Sequence, residues 1–375
     1  MSLTLDIASP TERAPQHQGS VELPAGTVVV SADSHWSVAD DIFYESFPKS
    51  IQHKAPRIVP EENGFNDWRI DGVSLLPDIM HETIASFEGL PGATQIGPRM
   101  ADLDIEGVDK EIAFGNQINL FVTYPDLEVR DWIFRVYNEH LAETAKQAPG
   151  RFFPIGFINY WDPTQAYDSV AELVNLGLKG LQLPITPIGA HGEPINYVAP
   201  EMEPLWQALE DAGLPVCFHV GEHFADGPGQ LGKTTMMNFG PFRKNLGELI
   251  FGGILDRYPR LKIAFVEAEI NWIPGALQTA ERIFDCLDPH LDPKIKRRPT
   301  EYWHTNCYAT FIHDPVGMKL LTECGPDRVM WSNDYPHPES AFGFGWSSIE
   351  AVVDATNESD AKKILGGTAL RLFDL

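Results

Sequence analysis

The sequence predicts an α/β fold whose parallel strands close into a (β/α)8 TIM barrel with a long insertion after strand one, and three observations carry that expectation. Short apolar runs recur along the chain and end in polar residues, as strands buried on both faces do. Segments with helical apolar spacing separate most of these runs, at 163–177, 202–212, 245–258, 272–286 and 314–324. The first run ends in Ser31-Ala32-Asp33-Ser34-His35-Trp36 without a glycine, which disfavours the alternative, an open doubly wound sheet with a Gly-rich nucleotide turn.

Residues 1–24 are polar, carry prolines and show no period, so they read as a flexible N-terminal arm ahead of one barrel domain over 25–375. Strand one is the β-branched run 27–33. Segment 36–99 follows it, is rich in Pro, Gly and aromatics, and is far too long for an ordinary loop. It reads as a lid or an oligomer contact, because insertions at this end of a barrel strand cap the active site. Strand two is 108–115, strand three 151–159 (RFFPIGFIN), strand four 178–183 and strand five 214–219. Residues 184–200 form a second, smaller insertion. Strand six is 261–267, strand seven 304–310 and strand eight 328–333. Gly366-Gly367 lies too late to cradle a phosphate and reads as a helix stop.

The chain has 375 residues, 43% of them hydrophobic and 22% charged, which suits a globular protein. Its 28 Lys and Arg stand against 53 Asp and Glu, a formal charge of -25 that repels phosphate backbones and excludes general nucleic-acid binding. No stretch reaches the roughly 20 apolar residues of a membrane span, and the N-terminus lacks the features of a signal peptide. Cys217, Cys286, Cys307 and Cys324 make no C-x-x-C pair and read as small apolar residues of a reduced, cytoplasmic protein. The arm and the aromatic-rich insertion lead to the expectation of a homo-oligomer, most simply a homodimer.

In a barrel, side chains at the C-terminal ends of the strands converge on one bowl. Asp33 and His35 end strand one and, two residues apart, share a face of an extended chain. His219 ends strand five, Glu267 strand six and Asp334 strand eight. Ionisable groups that follow buried apolar runs need partners, and one divalent cation satisfies several at once. Two His and two Asp suit zinc or manganese with a position left for water, although each residue alone reads equally well as a cap or a satisfied core group.

Four segments in this order resemble the amidohydrolase-related family: Ser31-Ala32-Asp33-Ser34-His35, Phe218-His219-Val220-Gly221, the stretch from Phe265 through Glu267 and Glu269 to Trp272-Ile273-Pro274, and Trp331-Ser332-Asn333-Asp334-Tyr335-Pro336-His337. Arg99-Met100-Ala101-Asp102-Leu103-Asp104, Gly107-Val108 and the ending Lys363-Ile364-Leu365-Gly366-Gly367 add to the resemblance, which covers about 27–375. The family branch includes aminocarboxymuconate-semialdehyde and resorcylate-type decarboxylases. The resemblance implies a metal-dependent TIM barrel with Asp33, His35, His219 and Asp334 as ligands of one divalent ion. Three positions depart from it. Glu267 stands where the decarboxylases carry His, Val38 where a Glu is usual, and Thr368 where an Asn closes the final motif.

A metal ion lowers the pKa of its water to around 7, so hydrolysis of a small cyclic or aromatic compound is the leading expectation. Asp334 would accept the water's proton, Glu267 would act as second acid or base, and His223 would stabilise a developing oxyanion. His337 would support a ligand or the substrate, Trp36 would stack on a ring, and His304 and Asn306 would shape the site floor. The alternative is non-oxidative decarboxylation of an aromatic or enoic acid, and a third reading is a metal-binding barrel without chemistry. An Arg beside the metal would favour a carboxylate substrate, whereas a neutral apolar pocket would favour a neutral ring or ester.

Overall fold

The computed structural model describes residues 14–76, 78–222, 224–238, 240 and 242–375. Twelve strands run in chain order among them: β1 (Val30–Trp36), β2 (Arg57–Pro60), β3 (Asn66–Ile70), β4 (Val73–Ser74), β5 (Lys110–Gly115), β6 (Phe152–Pro154), β7 (Gly156–Phe157), β8 (Leu181–Leu183), β9 (Val216–His219), β10 (Ile263–Val266), β11 (Cys307–Phe311) and β12 (Val329–Trp331). β1-β5-β6 and β7-β8-β9-β10-β11-β12 are parallel sheets, and β2-β3-β4 is antiparallel.

The expected third strand is thus two short strands flanking Ile155. Its first half pairs with β5 and its second with β8, so one segment carries the strand order from one parallel sheet into the other. At the far edge, the Asp334 N–H donates to Asp33 O (3.0 Å) and the His35 N–H to Tyr335 O (2.6 Å), which sets the segment after β12 against β1. Helices precede the later strands, among them Ile96–Glu106 before β5, Leu127–Ala145 before β6, Ala166–Leu176 before β8 and Glu203–Ala212 before β9.

The two-residue period divides the core. Ile263 and Phe265 of β10 pack outward against helices, whereas Ala264 and Val266 point inward with Val30, Ala32, Ile112, Cys217 and Met330. The last helix, Thr368–Phe373, contributes Ala369, Leu372 and Phe373 to this inner cluster and closes it from below. Gly107 ends helix Ile96–Glu106 in the left-handed region at φ +73°, and a Cβ there would lie 2.0 Å from the Trp346 ring.

Two further features differ from the sequence expectation. Residues 14–24 include docked positions: the Gln16 side chain donates to Ser347 Oγ (3.0 Å), its N–H donates to Glu106, and Val21 is buried. The seventh strand starts at Cys307, because helix Pro299–Asn306 holds the chain up to Asn306. Segment 36–99 carries β2-β3-β4 and the helices Asp78–Glu88 and Pro91–Thr94. No helix among the described residues is long and apolar enough to cross a membrane.

Candidate metal centre and active site

β1 brings two donors to one side by an irregularity. Its register with β5 shifts between Ser31 and Ser34, one residue more on β1 than on its partner. Val30 and Ala32 face inward, so strict alternation would have sent Ser34 inward next. The extra residue reverses the parity. Ser34 donates to Glu111 Oε2 (2.7 Å), and Asp33 and His35 turn into the bowl. Glu267 and Asp334 leave their strands in the left-handed conformation, with φ +64° and +53°. Such backbone costs about 1–3 kcal/mol per residue and is held by its surroundings, here by the Thr310 hydroxyl accepting from Glu267 N–H (2.8 Å) and Asp33 O accepting from Asp334 N–H.

The donors meet at short range. His219 Nε2 lies 3.4 Å from Asp33 Oδ1 and 3.3 Å from Glu267 Oε2. His35 Nε2 lies 3.8 Å from Asp33, 3.5 Å from Glu267 and 3.2 Å from Asp334. One ligand atom each from Asp33, His35, His219 and Glu267 falls within 4.8 Å of the others, and His35, Glu267, Asp334 and His337 form a second, overlapping group. Of the four residues expected as ligands, Asp33, His35 and His219 fall in the first group together with Glu267, whereas Asp334 falls in the second.

The donor chemistry fits a cation. His219 Nδ1 must carry a proton, because it donates to Val220 O at 2.8 Å. On the other side of the ring, His219 Nε2 faces two carboxylate oxygens, a buried donor set that one cation would bring together. Asp33 Oδ2 and both nitrogens of His35 are buried without a hydrogen-bond partner among the described residues. Burial, with the neighbouring His337 and His219, holds His35 well below its ordinary pKa and therefore neutral. Burial and the charges of Asp334 and Asp33 push Glu267 well above the usual carboxylate range. Burial opposes protonation of His337, yet Asp334 at 3.3 Å, with Glu339 and Asp33, raises it to about 9. Its ring stacks on His35 at 3.8 Å.

A cavity of about 150 Å³ opens above the donors. Its floor includes His35, His219, Glu267 and His337. Helix Asp78–Glu88 and the segment before it supply Leu76, Met80, Thr83 and Ile84, and helix Gln230–Asn238 supplies Leu231, Thr234, Thr235 and Asn238. Asn116, Gln117, Asn119 and Leu120 complete one wall. No Arg or Lys is among the described lining residues. By the pocket criterion alone this would favour a neutral substrate.

Three expected site residues lie elsewhere. His304 and Asn306 sit on the helix that leads into β11, at the opposite end of the sheet. Asn306 Nδ2 donates to Pro259 O and Leu261 O, both 2.9 Å, ahead of β10, and His304 borders Gly325 and Arg328. Trp36 is packed on Phe152 under the Arg99 guanidinium and is not among the lining residues. His223 lies outside the described residues. The wall residues Asn116 and Asn119 and the lining helices escaped the sequence reading, since nothing in their local pattern separates a pocket face from a half-buried surface. The one available signal was the mixed i, i+3, i+4, i+7 face of Leu231, Thr234, Thr235 and Asn238.

Buried imidazoles and carboxylates gathered at the C-terminal ends of parallel strands define an α/β enzyme with a metal-binding centre. The chain belongs to the amidohydrolase family, whose sequence model matches residues 123–375. It is 26% identical over 254 residues to the 2-amino-3-carboxymuconate-6-semialdehyde decarboxylase of Dictyostelium discoideum. That match covers 64% of this chain and 65% of the relative, a little under two thirds of its length. It is also 26% identical over 265 residues to a gamma-resorcylate decarboxylase of Rhizobium sp., covering 67% of this chain and 79% of the relative. Among solved structures, an amidohydrolase from Mycobacterium avium subsp. paratuberculosis aligns with a TM-score of 0.74 at 18% identity, over 93% of this chain and 98% of the other. A dihydroxybenzoic acid decarboxylase from Polaromonas sp., with bound manganese and the inhibitor 2-nitroresorcinol, aligns with a TM-score of 0.68 at 18% identity, over 93% and 97%.

These relatives overturn the hydrolase expectation, because those that match by sequence are decarboxylases. The expectation leaned on Glu267 in place of His. In the fold Glu267 offers a donor atom to the same cluster, so the exchange removes no ligand position.

Proposed function

We propose that this chain is a divalent-metal-dependent, non-oxidative decarboxylase of an aromatic acid, built on a closed (β/α)8 barrel. The observation that carries the reading is the buried donor set, Asp33 Oδ2 and His35 Nε2 without hydrogen-bond partners among the described residues and His219 Nε2 beside them, on the floor of a cavity whose walls include Leu76, Ile84 and Leu120. The circular strand order from β1 through β12 and back to β1 supports the barrel.

Asp33, His35, His219 and Glu267 would hold the ion, with Asp334 at its edge. A bound zinc or manganese ion would supply Lewis-acid charge toward an anionic substrate, so the wall would need no Arg. Leu76, Ile84 and Leu120 then flank the ring and exclude water. Segment 36–99 would then act as a lid, a reading supported by Leu76 and Ile84 lining the cavity. His337 and Asp334, 3.3 Å apart, hold the proton that moves to the ring carbon bearing the carboxylate. That carbon gains the proton, its bond to the carboxyl carbon breaks, the electron pair returns to the ring and carbon dioxide leaves. No water or oxidant is consumed.

The test is carbon dioxide release from 2,6-dihydroxybenzoate and related hydroxybenzoates by metal-depleted protein reloaded with manganese or zinc. Metal-dependent release, lost in Asp334→Asn, is expected. No release from any hydroxybenzoate by protein that carries one equivalent of metal would overturn the reading.

A further inference from the structure

We propose that Asn119 determines which ring substituents this site accepts, its side-chain amide donating a hydrogen bond to an oxygen acceptor on the substrate ring. The identity of the ring rests on the decarboxylase reading, whereas the amide geometry stands without it.

Asn119 lies in the short 3-10 helix Gln117–Phe121 that follows β5, half-buried in the cavity wall. Its Oδ1 accepts from Gln182 Nε2 at 2.8 Å, and its Nδ2 lies 3.4 Å from Gly115 O. These two contacts decide which way the amide faces. If both amides were reversed, Asn119 Nδ2 could still meet Gln182 Oε1, but Asn119 Oδ1 would then oppose the Gly115 carbonyl, acceptor against acceptor. The observed orientation keeps both contacts and the reversed one loses the second, although Gln182 Oε1 has no partner among the described residues. Gln182 is 1% exposed on β8 and cannot swing away, so it acts as a positioning residue.

Nδ2 carries two hydrogens and Gly115 O engages one. The other has no partner among the described residues. It borders the open space beside Gly221, where a Cβ would lie 4.0 Å from Nδ2. Asn119 and Gly221 line the same cavity as His35, His219 and Glu267, so the amide borders the space that a substrate held at the donors would occupy. A substrate anchored at the donors by its carboxylate therefore presents another ring position to Asn119. A donor held in place before binding selects an acceptor such as a phenolic, methoxy or carbonyl oxygen. It discriminates against an alkyl group of the same size, because the amide would lose its water without replacement.

The experiment uses manganese-loaded wild type, Asn119→Asp and Gln182→Met. Titration calorimetry measures binding of 2-hydroxybenzoates that carry methoxy or ethyl at the 3, 4 or 5 position, a pair that differs in the acceptor oxygen. At one ring position wild type should bind the methoxy compound roughly 3- to 10-fold more tightly than the ethyl compound. Asn119→Asp should invert that ratio, since a carboxylate oxygen then faces the ether oxygen. Gln182→Met should bring the ratio toward one while manganese content stays unchanged. Asn119→Ala makes the same comparison if Asn119→Asp folds poorly. Equal binding of each pair by wild type, or an unchanged ratio in the Asn119 variants, would overturn the assignment. Carbon dioxide release is followed in parallel. A methoxy preference without release leaves Asn119 as the selector and sinks the decarboxylase reading, and release without preference does the reverse.

Discussion

Arg99→Met is the perturbation whose size the structure sets most clearly. Arg99 and Glu111 are both 0% exposed and joined in a fork, Nε to Oε1 and Nη2 to Oε2, each 2.7 Å. Arg99 Nη1 also donates to His35 O (2.8 Å) and Gly92 O (3.2 Å), which ties the helix before β5 to the strand that carries two metal-centre donors. Methionine fills most of the volume and leaves Glu111 buried with Ser34 Oγ as its remaining side-chain donor. Breaking a buried pair from one side costs about 3–5 kcal/mol, chiefly for the stranded charge. At the average unfolding entropy, a chain of 375 residues has about 0.8 kcal/mol/K, so Tm should fall by about 4–6 °C. Scanning calorimetry of metal-free protein reads this without a metal contribution. The double variant Arg99→Met with Glu111→Met should recover at least half the loss, because the uncompensated charge is gone. A Tm within about 1 °C of wild type for the single variant, or a double variant below it, would refute the argument that the penalty is electrostatic.

Other consequences are accessible to simple assays. His219→Ala should lose most bound metal, measured by elemental mass spectrometry, and full retention would remove His219 from the ligand set. Asp334→Asn should keep its fold by circular dichroism and lose about 100-fold or more in turnover, and unchanged turnover would exclude Asp334 from proton transfer. Burial raises Glu106 and Glu222 to about 7 and Glu269 to about 8, against an ordinary 4.5. Their folded forms bind protons more tightly than the unfolded chain, so the stability they contribute is complete below pH 4.5 and is lost as pH rises through 7 to 8. Glu106→Gln should flatten part of that slope in thermal melts between pH 5 and 8, and an unchanged slope would show that Glu106 does not titrate in this range. Gly107→Ala should be strongly destabilised in urea melts, since the substituent meets Trp346 and the left-handed backbone together, and a neutral result would refute that contact.

Much of this protein was written locally. The alternation of apolar runs and helical segments set the α/β class, since a strand buried on both faces has no room for polar residues until its end. The same reasoning placed Asp33, His35, His219, Glu267 and Asp334 at strand ends, because charges that close such runs need a common partner. Boundaries were less legible. His304 and Asn306 stand before an apolar run just as strand residues would, and only packing of helix Pro299–Asn306 sends Asn306 to the carbonyls of Pro259 and Leu261. Tertiary structure also decided the parity of β1. Sequence spacing put Asp33 and His35 on one face, but only the extra residue between Ser31 and Ser34 turns that face inward, and a register shift exists only between two strands. The cavity walls, Asn119 with its Gln182 brace and the helices 78–88 and 230–238, come from segments far apart in the chain. Their chemistry depends on who the neighbours are, and that is information no local run of residues contains.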